Sequence, residues 1–287
     1  MQPFEYVRPS TVAEATAFLA EHGENALVLG GGSAAVVMLE LGVVRPEYVV
    51  DIGVIDGLSG VEQDGGLRIG ALTRIRELEL NPGVRRDFGL LAEAASQVAN
   101  VRVRNVATLG GAVAYAEPQT DTPTALTAYG AAVRIASPQG ERSAPIEEFY
   151  LGPYEPALAP GELVIGVDAP HPGPGAGGSH KKFTVGSPEN KPVANASALV
   201  TVDPSSGVCT SARVVMGAAG PVPIVAQAAG ELVGESDPAS RLAEVAAAAA
   251  EETNPVDDLR GPVWYKRRVM RVLVERALTC ALQRATR

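Results

Sequence analysis

Two glycine-rich stretches constrain this chain more than anything else in it. The first is Leu29-Gly30-Gly31-Gly32-Ser33. The second is Arg104-Asn105-Val106-Ala107-Thr108-Leu109-Gly110-Gly111-Ala112-Val113-Ala114. A glycine pair lets the main chain approach another group closely, because no Cβ intervenes. Successive N–H groups in such a turn form a concave anion site. Each stretch runs on through small residues into an apolar segment. Two such loops suit the two halves of one diphosphate, which predicts a dinucleotide gripped between them.

The rest of the composition narrows the function class. Lysine plus arginine number 24 and aspartate plus glutamate 33, so the net charge is 24 − 33 = −9. A chain this acidic, with no sustained basic patch before its last helix, is not expected to bind nucleic acid. Cys209 and Cys280 are the only cysteines. They are too few for an iron–sulfur cluster or a zinc ribbon held by this chain alone, and they do not suit a disulfide-built domain. No stretch reaches the ~20 apolar residues that cross a bilayer. The N-terminus lacks a basic segment followed by an apolar run, so the expected location is cytoplasmic.

Read in order, the chain predicts an α+β fold. Ser10 is the expected cap of a first helix, with Val12, Ala15, Phe18 and Leu19 on one face and Gly23 at its end. Ala26–Leu29 reads as a strand, residues 34–41 as a short helix, and residues 48–52 as a second strand. This is a small α/β unit with parallel pairing, assigned to residues 1–53. Asp64-Gly65-Gly66 signals a hairpin. Thr73 is the expected cap of a helix to about Leu80, and another helix is expected over residues 85–98. Asp121-Thr122-Pro123 opens a further helix. A strand over 132–136 turns at Pro138-Gln139-Gly140, and another spans 162–167. These elements make a middle α+β part, residues 54–175, and residues 171–178 read as a mobile loop or domain link. Residues 176–287 are expected to hold an antiparallel sheet with helices: strands over 193–202 and 208–216, helices near 223–233 and 239–251, and a long basic helix over 263–284.

Taken alone, Gly30-x-Gly32-x-x-Ala35 also fits a Rossmann fingerprint, with Asp51 near the acidic position ~20 residues on. That reading predicts an NAD-dependent oxidoreductase. Against it, the following helix is short and the chain then leaves βαβ alternation for a hairpin. The bland alternative is a glycine turn with no ligand, hence a flavin-free scaffold. His22, His171 and His180 show no metal spacing, and neither a nucleophile elbow nor a phosphate-loop lysine is present. Trp264 and Tyr265 read as core. Arg260, Lys266, Arg267, Arg268 and Arg271 read as a solvated face or a surface for an acidic partner subunit.

The two loops resemble those of the FAD-binding subunit, or domain, of the xanthine dehydrogenase and aerobic carbon monoxide dehydrogenase group of molybdenum hydroxylases. Gly30-Gly31-Gly32-Ser33-Ala34-Ala35 is similar to that family's first loop. Arg104, Asn105, Thr108, Leu109, Gly110, Gly111 and Asp121 match the second. Pro160-Gly161-Glu162-Leu163-Val164, Asp257-Asp258-Leu259-Arg260-Gly261 and Tyr265-Lys266-Arg267-Arg268 extend the likeness over essentially the whole chain. The resemblance implies a medium, electron-transfer subunit with non-covalent FAD between its first two domains. It implies cofactor contacts at Leu29, Gly30, Gly31, Gly32, Ser33, Ala34, Thr108, Leu109, Gly110, Gly111, Asp121, Leu163 and Lys182. Asp121 would accept hydrogen bonds from the ligand or act as a helix N-cap; Lys182 would lie near the flavin or be a solvated surface lysine. The molybdopterin cofactor and [2Fe-2S] clusters would lie on a large and a small partner subunit, assembled as a dimer of heterotrimers. Four features depart from the family: Ala34 where the residue is often polar, Glu40 where a base is common, a segment over residues 184–191 without the usual arginine-rich pattern, and no identifiable aromatic over the flavin ring.

Overall fold

The computed structural model describes residues 3–286. The first unit is a three-stranded, wholly parallel sheet of order β1-β3-β2, from β1 (Glu5–Val7), β2 (Ala26–Leu29) and β3 (Tyr48–Asp51). Helix α1 (Val12–His22) precedes β2, and α2 (Ala35–Glu40) connects β2 to β3. The cap of α1 is Thr11, whose hydroxyl accepts the Glu14 N–H, rather than Ser10. Ser10 instead donates its N–H and hydroxyl to the Glu14 carboxylate, so the capping signal is real but shifted by one residue. Strand β1 lacks a sequence signal, since three residues pair only because β3 lies beside them.

The next unit is a five-stranded antiparallel sheet of order β4-β5-β10-β6-β7. Its strands are β4 (Val61–Gln63), β5 (Gly66–Gly70), β6 (Ala132–Ser137), β7 (Gly140–Pro145) and β10 (Leu163–Pro170). A two-stranded ribbon, β8 (Tyr150–Gly152) with β9 (Glu155–Pro156), lies between β7 and β10. Six short helices fill the excursion from β5 to β6: α3 (Ile75–Leu80), α4 (Pro82–Asp87), α5 (Gly89–Ser96), α6 (Val101–Arg104), α7 (Leu109–Ala114) and α8 (Thr122–Ala128). The helix expected over 85–98 is thus two, broken at buried Phe88. Thr73 does not cap α3; its hydroxyl is spent on Gly60, donating to the carbonyl (2.9 Å) and accepting from the N–H (3.0 Å).

The last sheet is antiparallel, ordered β11-β12-β13-β14, from β11 (Ala176–Phe183), β12 (Ala194–Val202), β13 (Cys209–Gly217) and β14 (Ile224–Val225). Helices α9 (Leu242–Glu251) and α10 (Val263–Ala285) cover it. Along α10, Met270, Leu273, Val274, Ala277, Leu278 and Ala281 recur at helical spacing and are buried against the sheet. Residues 176–178, expected in a loop, belong to β11 and pair with residues 199–201. Their glycines hide the strand locally; the ladder to β12 makes it. Residues 227–232 form a 3₁₀ segment rather than an α-helix. One apolar core joins the first unit to the middle sheet, since Val50 and Ile52 pack with Ala136, Leu163 and Ile165.

Candidate functional site

Strand β2 delivers the first glycine loop to the end of the parallel sheet, where α2 begins. A Cβ on Gly31 would fall on the carbonyl oxygen of Val106, so the two glycine stretches meet main chain to main chain. Gly32 has φ +74°, the left-handed region that turns the chain into α2. Among the described residues, the N–H groups of Gly31, Gly32, Ser33 and Ala34 meet no acceptor. Four spare donors around one left-handed residue make a concave anion site.

The second stretch is built differently from its sequence expectation. It is the first turn of α7, capped by Thr108, whose hydroxyl accepts the Gly111 N–H at 3.2 Å. The N–H of Leu109 goes to the Thr73 carbonyl (2.9 Å) and that of Gly110 to the Ala71 carbonyl (2.8 Å). The spare donors therefore lie on the first loop, and the second contributes shape. A Cβ at Gly110 would come within 2.5 Å of the Ala71 Cβ, so this glycine serves packing; one at Gly111 would meet only the Thr108 hydroxyl. Arg104 holds the approach to this turn. It donates to Glu79 (2.8 Å) and to the carbonyls of Val98 (2.9 Å) and Ala99 (3.0 Å).

The loops border a cavity of about 640 Å³, within the range of cofactor sites. Gly30, Gly31, Gly32, Ser33, Ala34, Thr108, Gly110, Gly111, Asp121, Leu163 and Lys182 all line it. Leu29 and Leu109 do not. Leu29 is tied into the parallel sheet opposite Asp51, and Leu109 is wholly buried in the middle core. One stretch of wall is apolar, with Val28, Ile52, Leu72 and Ile75; another is polar, with Glu117, Asp121, Lys182 and Lys191.

Asp121 sits at the head of α8 but makes no side-chain cap. Its carboxylate is 4% exposed and accepts from Lys182 Nζ (2.7 Å), Asn195 Nδ2 (2.8 Å) and His180 Nε2 (3.3 Å). Burial pushes its pKa up, but the hydrogen bond and charge of His180, and then Lys182, outweigh that and hold the carboxyl below its usual range. Lys182 is no solvated lysine. Its side chain is 4% exposed, and Nζ also donates to the Gln97 carbonyl (2.7 Å). His180 and Lys182 alternate on β11 and stand opposite Ser197 and Asn195 on β12, so one sheet face supplies the cluster. That period-2 pattern was present in the sequence, but only the pairing register aligns it with Asp121.

The sequence also gave no signal for the aromatic part of the wall. Tyr115, just after α7, lines the cavity and packs on Tyr154 with ring centroids 5.1 Å apart. Burial, and then the nearby Glu117 carboxylate, push the Tyr154 phenol up to about 12. Glu117 in turn pairs with Lys191. The Rossmann alternative fails on the same geometry. The parallel sheet stops at three strands, and Asp51 accepts from Tyr6, from the Gly53 N–H (2.8 Å) and lies 3.5 Å from Arg8.

Comparison with known proteins agrees with this architecture. Residues 2–172 match the FAD binding domain in molybdopterin dehydrogenase, and residues 189–281 match the CO dehydrogenase flavoprotein C-terminal domain. The 6-hydroxypseudooxynicotine dehydrogenase complex subunit alpha of Paenarthrobacter nicotinovorans is 33% identical over 284 residues, covering 98% of this chain and 95% of that one. The carbon monoxide dehydrogenase medium chain of Afipia carboxidovorans is 31% identical over 286 residues, 98% of each. A chain of the crystal structure of Cu,Mo-CO dehydrogenase superposes with a TM-score of 0.94 at 30% identity, over 99% of this chain and 100% of the other. A three-stranded parallel unit, a glycine-walled cavity and near full-length likeness converge: this chain belongs to the family of FAD-binding medium subunits of molybdenum hydroxylase-type dehydrogenases.

Proposed function

We propose that this chain holds FAD non-covalently in the cavity between the glycine loops and takes electrons from iron–sulfur clusters on a partner subunit. The observation that carries the assignment is the set of unsatisfied N–H groups at Gly31–Ala34 on the wall of a cavity of about 640 Å³. These donors fit a diphosphate. Bound FAD would supply the redox chemistry itself. The chain supplies position and electrostatics. Gly111 keeps the opposite wall free of side chain, Val28, Ile52 and Leu72 exclude water, and Asp121 with Lys182 offers a fixed, hydrogen-bonded charge pair. Thr108 remains in the assignment through its hydroxyl. Leu29 and Leu109 act behind the wall, by placing the loops.

Three domains, 1–53, 54–175 and 176–287, are proposed as the working division. It is supported by the three separate main sheets. A large molybdopterin subunit and a small iron–sulfur subunit are the proposed partners, in a dimer of heterotrimers that native mass spectrometry of the complex reads directly. The lining includes neither cysteine nor histidine, consistent with non-covalent attachment. The test is a visible spectrum of protein from its native source, followed by acid precipitation. A flavin band whose FAD passes to the supernatant is expected. Flavin left in the pellet would refute non-covalent binding, and folded protein without flavin would refute the assignment.

A further inference from the structure

One face of α10 is packed on the sheet; the start of its other face, and the turn before it, are built toward solvent. Leu259 is fully exposed, and Trp264, the only tryptophan, is 66% exposed rather than in the core. This is not slack chain. Asp258 and Gly261 exchange main-chain bonds of 3.3 and 3.0 Å. The Asp258 carboxylate accepts the Arg260 N–H (2.8 Å) and pairs with Lys266 Nζ (2.8 Å), while Asp257 accepts the Val263 N–H (2.6 Å). Lys266, 6% exposed, also donates to the Val256 carbonyl (2.7 Å). A turn wired this closely holds Leu259 out in water at a standing hydrophobic cost.

Trp264, Arg268, Arg271 and Val272 follow at i, i+4, i+7 and i+8, on one helical stripe, and all are exposed. Neither Arg268 nor Arg271 forms an ion pair among the described residues, in a chain whose net charge is −9. An ordered tryptophan beside arginines is the composition enriched at interface hot spots, and the exposed Leu259 adds apolar surface to bury there. Two unpaired cations beside them complement an acidic surface. The stripe also lies beside the cavity wall: the Trp264 ring meets Tyr265 at 5.9 Å between centroids, Tyr265 packs edge-on against Phe183 at 6.4 Å, and Phe183 follows the cavity-lining Lys182 on β11.

We propose that Leu259, Trp264, Arg268 and Arg271 form the docking surface for the subunit that carries the iron–sulfur clusters, which meets them with an apolar pocket rimmed by carboxylates. The inference rests on the reading of this chain as a subunit of such a complex. None of the four residues lines the cavity, so loss of docking and loss of flavin are separable.

The test pairs a variant with a footprint. The chain carrying Leu259→Asp and Arg268→Glu is purified alone and titrated with the purified iron–sulfur subunit. It should keep the wild-type circular dichroism and flavin content yet bind at least about 30-fold more weakly. In parallel, hydroxyl-radical oxidation of Trp264 is compared in the wild-type chain alone and in its complex with the purified iron–sulfur subunit, where at least about five-fold protection is expected once the ring is desolvated at an interface. Wild-type affinity in the variant would overturn the proposal, as would Trp264 equally reactive in the complex. Protection already present in the isolated chain, with a dimeric mass, would assign the surface to a second copy instead. Should the variant misfold, the wild-type footprint decides. Failure of the wild-type chain itself to bind the iron–sulfur subunit would bring down the complex reading along with the surface.

Discussion

Adjacent glycines of the second stretch should fail in opposite ways. At Gly111 an added Cβ meets only the Thr108 hydroxyl, at 2.9 Å, and the position is not in the left-handed region. Gly111→Leu therefore costs the fold little more than a disturbed cap, about 1 kcal/mol. Its side chain extends into the cavity, next to the loop whose spare N–H groups are proposed to hold a diphosphate. Displacing an anion from even two such donors, at roughly 1.5–3 kcal/mol each, weakens binding by about 3–6 kcal/mol, or roughly 10²–10⁴-fold. Gly110→Ala is the contrast. Its Cβ would lie 2.5 Å from the Ala71 Cβ and 2.8 Å from the Ala71 carbonyl oxygen, which accepts the Gly110 N–H. Overpacking against backbone, with the main-chain bond from Gly110 to Ala71 at risk, should cost roughly 1–3 kcal/mol of folding. The assay is flavin stoichiometry and urea unfolding on one preparation of each variant, with unfolding measured after flavin removal so that mass action from the ligand does not mask the comparison. Full flavin occupancy in Gly111→Leu would refute the cavity assignment. A larger folding loss at Gly111 than at Gly110 would refute the division of roles between them.

Two further outcomes follow from the buried charges. Asp121→Asn should destabilise the flavin-free chain by about 3–5 kcal/mol because it strands the Lys182 ammonium, and adding Lys182→Met should recover part of that loss; urea midpoints of the single and double variants decide it, and additive losses would show that the pair does not act as a unit. The carboxyls of Asp121, Glu93 and Glu79 are all held below their ordinary values of 3.8, 4.5 and 4.5, in each case by paired cations and hydrogen bonds that outweigh burial. Their contribution is complete above those ordinary values and is lost as pH falls through the lower folded-state values, so a urea midpoint flat above neutrality should drop on acidification, less steeply in Asp121→Asn.

The sequence by itself determined the local signals. Periodicity placed α1, α9 and α10, turn chemistry placed the β4–β5 hairpin, and glycine clusters marked the two walls of the cavity, because each of these depends on residues within a few positions of one another. Cysteine count excluded iron–sulfur ligation by this chain alone for the same reason, as a property of composition. Tertiary structure alone decided how those pieces are used. Whether the Gly110 N–H is spare or committed depends on Ala71, 39 positions away. Asp121 is a network acceptor rather than a cap because β11 and β12 pair in the register that aligns Lys182, His180 and Asn195 beside it. Residues 176–178 are strand because β12 supplies their partners, and Trp264 stands in solvent because the wired turn at 257–261 fixes where α10 begins. Hydrogen-bond partners and burial are set by which distant surfaces meet, and no window along the chain contains that information.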